Sequence, residues 1–285
     1  MSRMGDVLAG FHAAWEFESD SVLIRYERGI RAPKLFQALG ERRVPLEAVA
    51  GVTLSRGKRG TVVLRLETRP GADPLMEAAA GQLKESGDPY RLVLPADREV
   101  LAEYYADELR SLLTETESGP TDRFLVKPPE GPRSFKAYDG KATFDGRTVN
   151  FRWFWTGASS AKWKAGDQSF SVGELSGVEW RSPEVFEGHL RLLRRDAEAS
   201  AAQADQDPAA VVFGLGYGPV HESLPFAAAV LAAVRTSSPV AAVPAPRRDP
   251  ADIAERIRHL GELHQAGLVT DEEFSVKKAE LLSEL

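Results

Sequence analysis

The sequence predicts an α+β protein built from two tandem units, each of about seven antiparallel strands plus a closing helix, followed by a small α-helical hairpin. Three observations carry this. A nine-residue phrase occurs twice, strands of alternating polarity surround both occurrences, and an amphipathic pair of helices follows a proline-rich spacer. The phrase reads Val-Pro-Leu-Glu-Ala-Val-Ala-Gly-Val at 44–52 and Phe-Ser-Val-Gly-Glu-Leu-Ser-Gly-Val at 170–178. Val44 matches Phe170, Leu46 matches Val172, Val49 matches Leu175, Gly51 matches Gly177 and Val52 matches Val178. A strand ends, the chain turns, and a strand marked by glycine begins.

In the first unit, Trp15, Phe17, Val22, Ile24 and Tyr26 fall on alternate positions around Glu18-Ser19-Asp20, which predicts a hairpin with one buried face. Residues 29–40 are expected to hold a third strand and a loop. Gly57-Lys58-Arg59-Gly60 is expected to be a tight basic turn before the alternating strand of Val62, Leu64 and Leu66. Residues 68–89, rich in Gly, Pro, Ala and Glu, read as an exposed insertion with a short helix near 75–83. A last strand at 90–94 precedes a helix capped by Asp97, its face formed by Leu101, Tyr104, Tyr105, Leu109 and Leu112.

Residues 117–132 hold four prolines and no periodicity, and read as a linker between units spanning 1–116 and 133–236. The order then recurs. Phe144, Val149, Phe151 and Trp153 follow Phe17, Val22, Ile24 and Tyr26 at an offset of 127, and Leu190-Arg191-Leu192 follows Leu64-Arg65-Leu66 at 126. An insertion at 194–209, a strand at 211–215 and a helix at 221–235 with Pro225 near its first turn complete the unit. The order of strands, with the repeated phrase, resembles bacterial pleckstrin-homology-like domains. Over 5–236 it resembles a tandem family of unknown function from high-GC filamentous bacteria. That resemblance implies a fold and leaves the biochemistry open.

Residues 237–250 form a Pro/Ala-rich spacer, which is stiff and extended. Ile253, Ile257 and Leu260 then share one helix face, and Gly267 ends that helix. Thr270 and Glu273 make a capping box, Val269 and Phe274 a hydrophobic staple, and Leu281 continues the apolar face. The run Leu-Gly-Glu-Leu-His-Gln-Ala-Gly-Leu-Val-Thr-Asp-Glu-Glu-Phe from Leu260, with Lys277-Lys278-Ala-Glu-Leu-Leu, strongly resembles the short C-terminal (SHOCT) domain, although His264 stands where a charged residue is common. The resemblance implies an accessory or oligomerising element over 251–285. Residues 249–285 carry nine acidic against four basic residues, a net −5 that leaves −1 for the rest. Two helices of this size bury too little to be stable alone, so their apolar face asks for a partner: the body, a second copy or another protein.

Composition excludes several chemistries. With no cysteine there is no disulfide, thiolate metal site or cysteine nucleophile. A net charge of −6 opposes nonspecific nucleic-acid binding, and no specific nucleic acid is expected. The N-terminus lacks a signal-peptide core, and the most apolar stretch, 224–234, is about half the roughly 20 residues a membrane span needs. A cytoplasmic location is therefore expected. His12, His189, His221, His259 and His264 show no metal-ligand spacing and read as surface or helix-end residues. Gly214-Leu-Gly-Tyr-Gly lacks the Lys and Ser/Thr of a phosphate loop and reads as a bend before the closing helix. No catalytic residue, cofactor or metal is expected.

Two clusters remain. Arg152, Trp153, Trp155, Lys162, Trp163 and Lys164 combine aromatics with cations. They read as core tryptophans with solvated lysines, as a protein-contact surface, or as a lipid or nucleic-acid surface. Arg31, Lys34, Lys58 and Arg59 lie in loops near the first phrase, among Arg42, Arg43 and Arg56, and read as a solvated face or an anion site. The leading expectation is a non-enzymatic cytosolic binding or scaffold protein, associating through Ile253, Ile257, Leu260, Phe274 and Leu281, with Trp155 and Trp163 as a second contact. The alternative is a peripheral sensor of anionic membranes using Arg31, Lys34, Lys58, Arg59, Lys162 and Lys164.

Overall fold

The computed structural model describes residues 6–113, 119–131, 133–196 and 202–237. The described residues belong to one compact unit; the expected hairpin, with Ile253, Ile257, Leu260, Phe274 and Leu281, lies outside the described residues.

The first half opens with a four-stranded antiparallel sheet, β1 (Asp6–Ala9), β2 (Ala13–Phe17), β3 (Ser21–Tyr26) and β4 (Glu41–Pro45), paired in that order. The β2–β3 hairpin falls where alternation places it, with Trp15, Val22 and Ile24 fully buried. A three-stranded sheet follows: β5 (Val49–Arg56), β6 (Thr61–Thr68) and β7 (Arg91–Pro95). The second half repeats the scheme with β8 (Ser134–Lys136), β9 (Gly140–Phe144), β10 (Thr148–Trp153) and β11 (Gln168–Ser171), then β12 (Leu175–Arg181), β13 (His189–Arg194) and β14 (Ala210–Val212). The described part is thus α+β, with four antiparallel sheets and few helices.

The repeated phrase carries the chain from one sheet to the next. β4 and β11 close the four-stranded sheets, a 3-10 turn follows in each (Leu46–Ala48, Val172–Glu174), and β5 and β12 open the three-stranded ones. Gly51 and Gly177 sit where the register of the new strand slips by one residue, a bulge that bends it at the corner. The other end of each pair of sheets is tied by one hydrogen bond: Phe11 N–H to Val93 O at 2.7 Å, and Tyr138 N–H to Val212 O at 2.9 Å.

Three expectations are corrected. Residues 29–40 hold a helix, α1 (Lys34–Leu39), where a strand was expected; Leu35 and Phe36 turn inward together. The 68–89 segment is not an exposed insertion, since α2 (Pro74–Ala79) buries Leu75, Ala78 and Ala79. Small alanines there allow close helix packing rather than marking a loose loop. On α3 (Glu99–Leu113) the buried stripe is Ala102, Tyr105, Ala106 and Leu109, while Leu101, Tyr104 and Leu112 are exposed. Alanine again lets the helix lie close, so the larger apolar residues sit off the buried face.

Two helices complete the second half: α4 (Ser160–Ala165), N-capped by Ser159, and α5 (Val220–Ser237), with Pro225 at its sixth residue. The apolar stretch at 224–234 is buried in α5 because α1 and α2 of the first half pack on it, as do β12 and β8 of the second. A helix apolar nearly all round belongs in a core. Leu35, Leu75, Ala78 and Ala79 accordingly share one hydrophobic cluster with Phe151, Trp180, Phe226 and Val230, while Trp15, Leu64, Tyr90 and Leu109 belong to a second. The connecting segment has no regular element over 119–131. It is nevertheless fixed: Val126 fills the first core, and the Leu125 and Val126 N–H groups both donate to Ala72 O.

Candidate functional site

An open groove of about 970 Å³ lies where the two halves meet. One wall is the start of α1, with Arg31, Lys34 and Leu35, and the other is the loop carrying Val185 and Phe186. Leu215 and His221, from the β14–α5 connection and the first turn of α5, also line the groove. Phe186 is 84% exposed and Leu215 fully so. Large apolar side chains standing this far into solvent at a concave surface mark contact sites. The walls are held in place across the halves: Gln82 Nε2–H donates to Trp180 O at 3.0 Å, Ser182 N–H donates to Gln82 Oε1 at 2.9 Å, and Lys84 pairs with Glu184 at 3.2 Å. Arg31 and Lys34 are exposed, with no ion-pair partner among the described residues. Burial holds the His221 imidazole below its ordinary range; Glu222 opposes that shift and Lys34 adds to it.

The basic residues singled out in the sequence do not converge. Arg31 and Lys34 border the groove, while Lys58 lies in a smaller concavity of about 400 Å³ with Arg56, Arg65 and Arg91, where Glu85 and Asp88 offset part of the charge. Arg59 occupies the β5–β6 turn, where it adopts φ 56° next to Gly60 at 69°. The close approach in that turn is at Gly57, where a Cβ would stand 2.3 Å from Thr61 Oγ1.

Lys162 is no surface cation. It is fully buried in α4, with Nζ 2.5 Å from Asp139 Oδ2 and 5.0 Å from the Trp153 ring centroid. Asp139 Oδ1 also accepts the Val212 N–H at 2.9 Å. The expectation of Lys162 as an anion site fails, because its charge is spent internally. Of the tryptophans, Trp153 is core, whereas Trp155 and Trp163 are exposed and meet edge to face at 5.3 Å. Lys164 is exposed beside them.

The first half has its own sealed polar cluster, missed in the sequence. Arg42 Nη2 lies 2.7 Å from Asp73 Oδ1, Arg42 Nε–H donates to the Tyr90 hydroxyl oxygen at 3.1 Å, the Tyr90 hydroxyl donates to Asp73 Oδ2, and the Tyr26 hydroxyl donates to Pro89 O. Burial raises both tyrosines above their ordinary range, and although burial opposes the Arg42 charge, Asp73 and the tyrosines hold it protonated. Asp73 also caps α2 through the Leu75 N–H. Every partner is internal, so this cluster fixes α2 against the sheet and leaves nothing to present to a substrate.

A second polar pair is common to both halves. Arg65 Nε lies 3.0 Å from Asp88 Oδ2, and Arg191 Nε lies 3.1 Å from Asp207 Oδ2. Asp88 Oδ1 accepts the N–H of Tyr90 and Asp207 Oδ1 that of Ala209, each two residues on. The arginines are offset by 126 and the aspartates by 119, because the insertion before β14 is seven residues shorter than that before β7. Among the described residues no group of three His, Asp or Glu side chains could hold a metal ion, and no helix is long and apolar enough to cross a membrane.

Comparison with known proteins gives two matches. Residues 255–282 match the short C-terminal domain, SHOCT. No match is found among curated proteins. Residues 15–110 and 142–231, together nearly two thirds of the chain, match a domain of unknown function, DUF4429. The chain belongs to the DUF4429 family.

Proposed function

We propose that this chain is a non-enzymatic cytoplasmic binding protein, with two pleckstrin-homology-like units in tandem as its body and its SHOCT segment as an association element. The observation that carries the reading is the groove between the halves. Its volume is that of a ligand or peptide site, its apolar residues face solvent, and Arg31 and Lys34, without ion-pair partners among the described residues, sit on one wall. What supports the tandem assignment is the recurrence of four- and three-stranded sheets, a bulged corner, and a closing helix in each half.

The occupant this surface fits is a peptide segment bearing apolar side chains beside carboxylates: the apolar groups would cover Phe186 and Leu215, and the carboxylates would meet Arg31 and Lys34. Panning a random peptide library against the full chain should enrich acidic sequences with interspersed apolar residues. Their binding should drop at least tenfold in the Phe186→Ser/Leu215→Ser protein and weaken in Arg31→Glu/Lys34→Glu. Enriched peptides that bind all three proteins alike would refute the groove as the site. Self-association through the tail is tested separately, by light scattering of the full chain against residues 1–248; two monomeric masses would remove that part.

A further inference from the structure

The outward face of the β8–β9–β10 sheet carries three cations in direct cross-strand register. Lys136 stands opposite Lys141, and Lys141 opposite Arg152. Their neighbours Phe135, Ala142, Phe151 and Trp153 point into the core, so the three charges share the solvent face. Side chains so paired have Cβ atoms roughly 4.5–5.5 Å apart, and like charges there are destabilising. None of the three has an ion-pair partner among the described residues. The fold does not require them. The matching row of the first half reads Ala9, Ala14, Arg25 and Glu41, with Arg25 neutralised by Glu16 and Glu41.

The rest of the face is neutral: Ser134, Thr143, Asn150 and Ser169 form its next row. Acidic residues occur at its margins, where Asp145 accepts the Arg147 and Thr148 N–H groups and Asp167 accepts that of Trp153. Exposed aromatics lie on the connections next to the cationic strands. The turn joining Lys136 to Lys141 contains Tyr138, 51% exposed, and Asp139. Asp139 grips Lys162, next to Trp163, and its carbonyl accepts the Phe154 N–H, next to Trp155. Gly157 closes the same turn so tightly that a Cβ would lie 2.2 Å from Tyr138 O. Tyr138 thus stands on the hairpin turn between two of the cations, while Trp155, just after β10, and Trp163, on α4, adjoin residues bonded to Asp139 of that turn, and Lys164 is exposed on α4.

We propose that this face docks on an anionic lipid bilayer, with Lys136, Lys141, Arg152 and Lys164 toward the headgroups and Trp155, Trp163 and Tyr138 at the interface. Amphipathic aromatics settle at headgroup level, and cations near an anionic leaflet each raise affinity about fivefold. A single-stranded nucleic acid fits less well. It needs aromatics on the sheet face for bases to stack on, and that face offers Ser, Thr and Asn.

The test is flotation of the full chain with vesicles of phosphatidylcholine alone and of equal parts phosphatidylcholine and phosphatidylglycerol. The chain should float only with the anionic vesicles, less so as salt rises, with a blue shift of tryptophan emission. Lys136→Gln/Lys141→Gln/Arg152→Gln should lose on the order of a hundredfold in affinity, Trp155→Phe/Trp163→Phe should lose the blue shift, and Lys58→Gln/Arg59→Gln should behave as the parent. Equal flotation with both vesicles, flotation unchanged in the triple variant, or binding of single-stranded DNA with none to vesicles would overturn the proposal.

Discussion

The ammonium of Lys162 and the carboxylate of Asp139 form an ion pair closed off from water, joining α4 to the β8–β9 turn. Removing one member strands the other. Lys162→Met should therefore cost about 3–5 kcal/mol of stability, read from urea unfolding. Asp139→Asn combined with Lys162→Met should recover most of that loss, since the asparagine oxygen can still accept the Val212 N–H. A double variant no more stable than the single one would mean the pair is not what holds this corner.

Leu75 lies fully buried on α2 of the first half, within the cluster that contains Phe226 and Val230 of α5. Leu75→Ala should cost about 2–5 kcal/mol. It should also accelerate amide exchange along α5 as much as in the first half. Exchange changes confined to 1–113 would show that the two halves open independently.

Asp88 and Asp207 each hold an arginine and a backbone N–H at matching places in the two halves. Alanine at either position leaves a buried or half-buried N–H without its acceptor and should cost about 1–3 kcal/mol. The two losses should be alike and nearly additive, given their separate locations. Thermal unfolding of both single variants and the double variant checks this.

His221 has its imidazole pKa depressed below the ordinary 6.5 by burial and by Lys34, against Glu222. The unfolded chain then takes up a proton first, so the stability this residue contributes is present above pH 6.5 and is lost as pH falls through the depressed value. His221→Gln should flatten this part of the stability profile between neutral and mildly acid pH. A profile unchanged by the substitution would reject the assignment.

Much of the sheet framework was legible because it obeys local rules. Trp15, Val22 and Ile24 alternate, and Gly51 and Gly177 stand in register with their apolar neighbours. What escaped depended on partners far away in sequence. Leu75 and Ala79 looked like part of a loose insertion because the helix that covers them, α5, lies some 150 residues later. The Arg65–Asp88 and Arg191–Asp207 pairs were hidden by insertions of unequal length. In the aromatic cluster, the exposed Trp155 and Trp163 could be singled out by residue type. Lys162 could not be told from Lys164, since burial of a cation depends on a carboxylate 23 residues upstream. The Lys136–Lys141–Arg152 row appears only once strand register is known.

The cluster that unites α1, α2 and α5 has a practical consequence for anyone who would cut this protein into pieces. Residues 117–132 look like the natural place for a boundary, yet a fragment beginning at 133 would lack Leu35, Leu75, Ala78 and Ala79 and present one flank of α5 bare to solvent. Expressed alone, that fragment should aggregate or recruit whatever apolar surface is at hand. A bait prepared that way would report false interactors, whereas residues 1–237 kept whole would not.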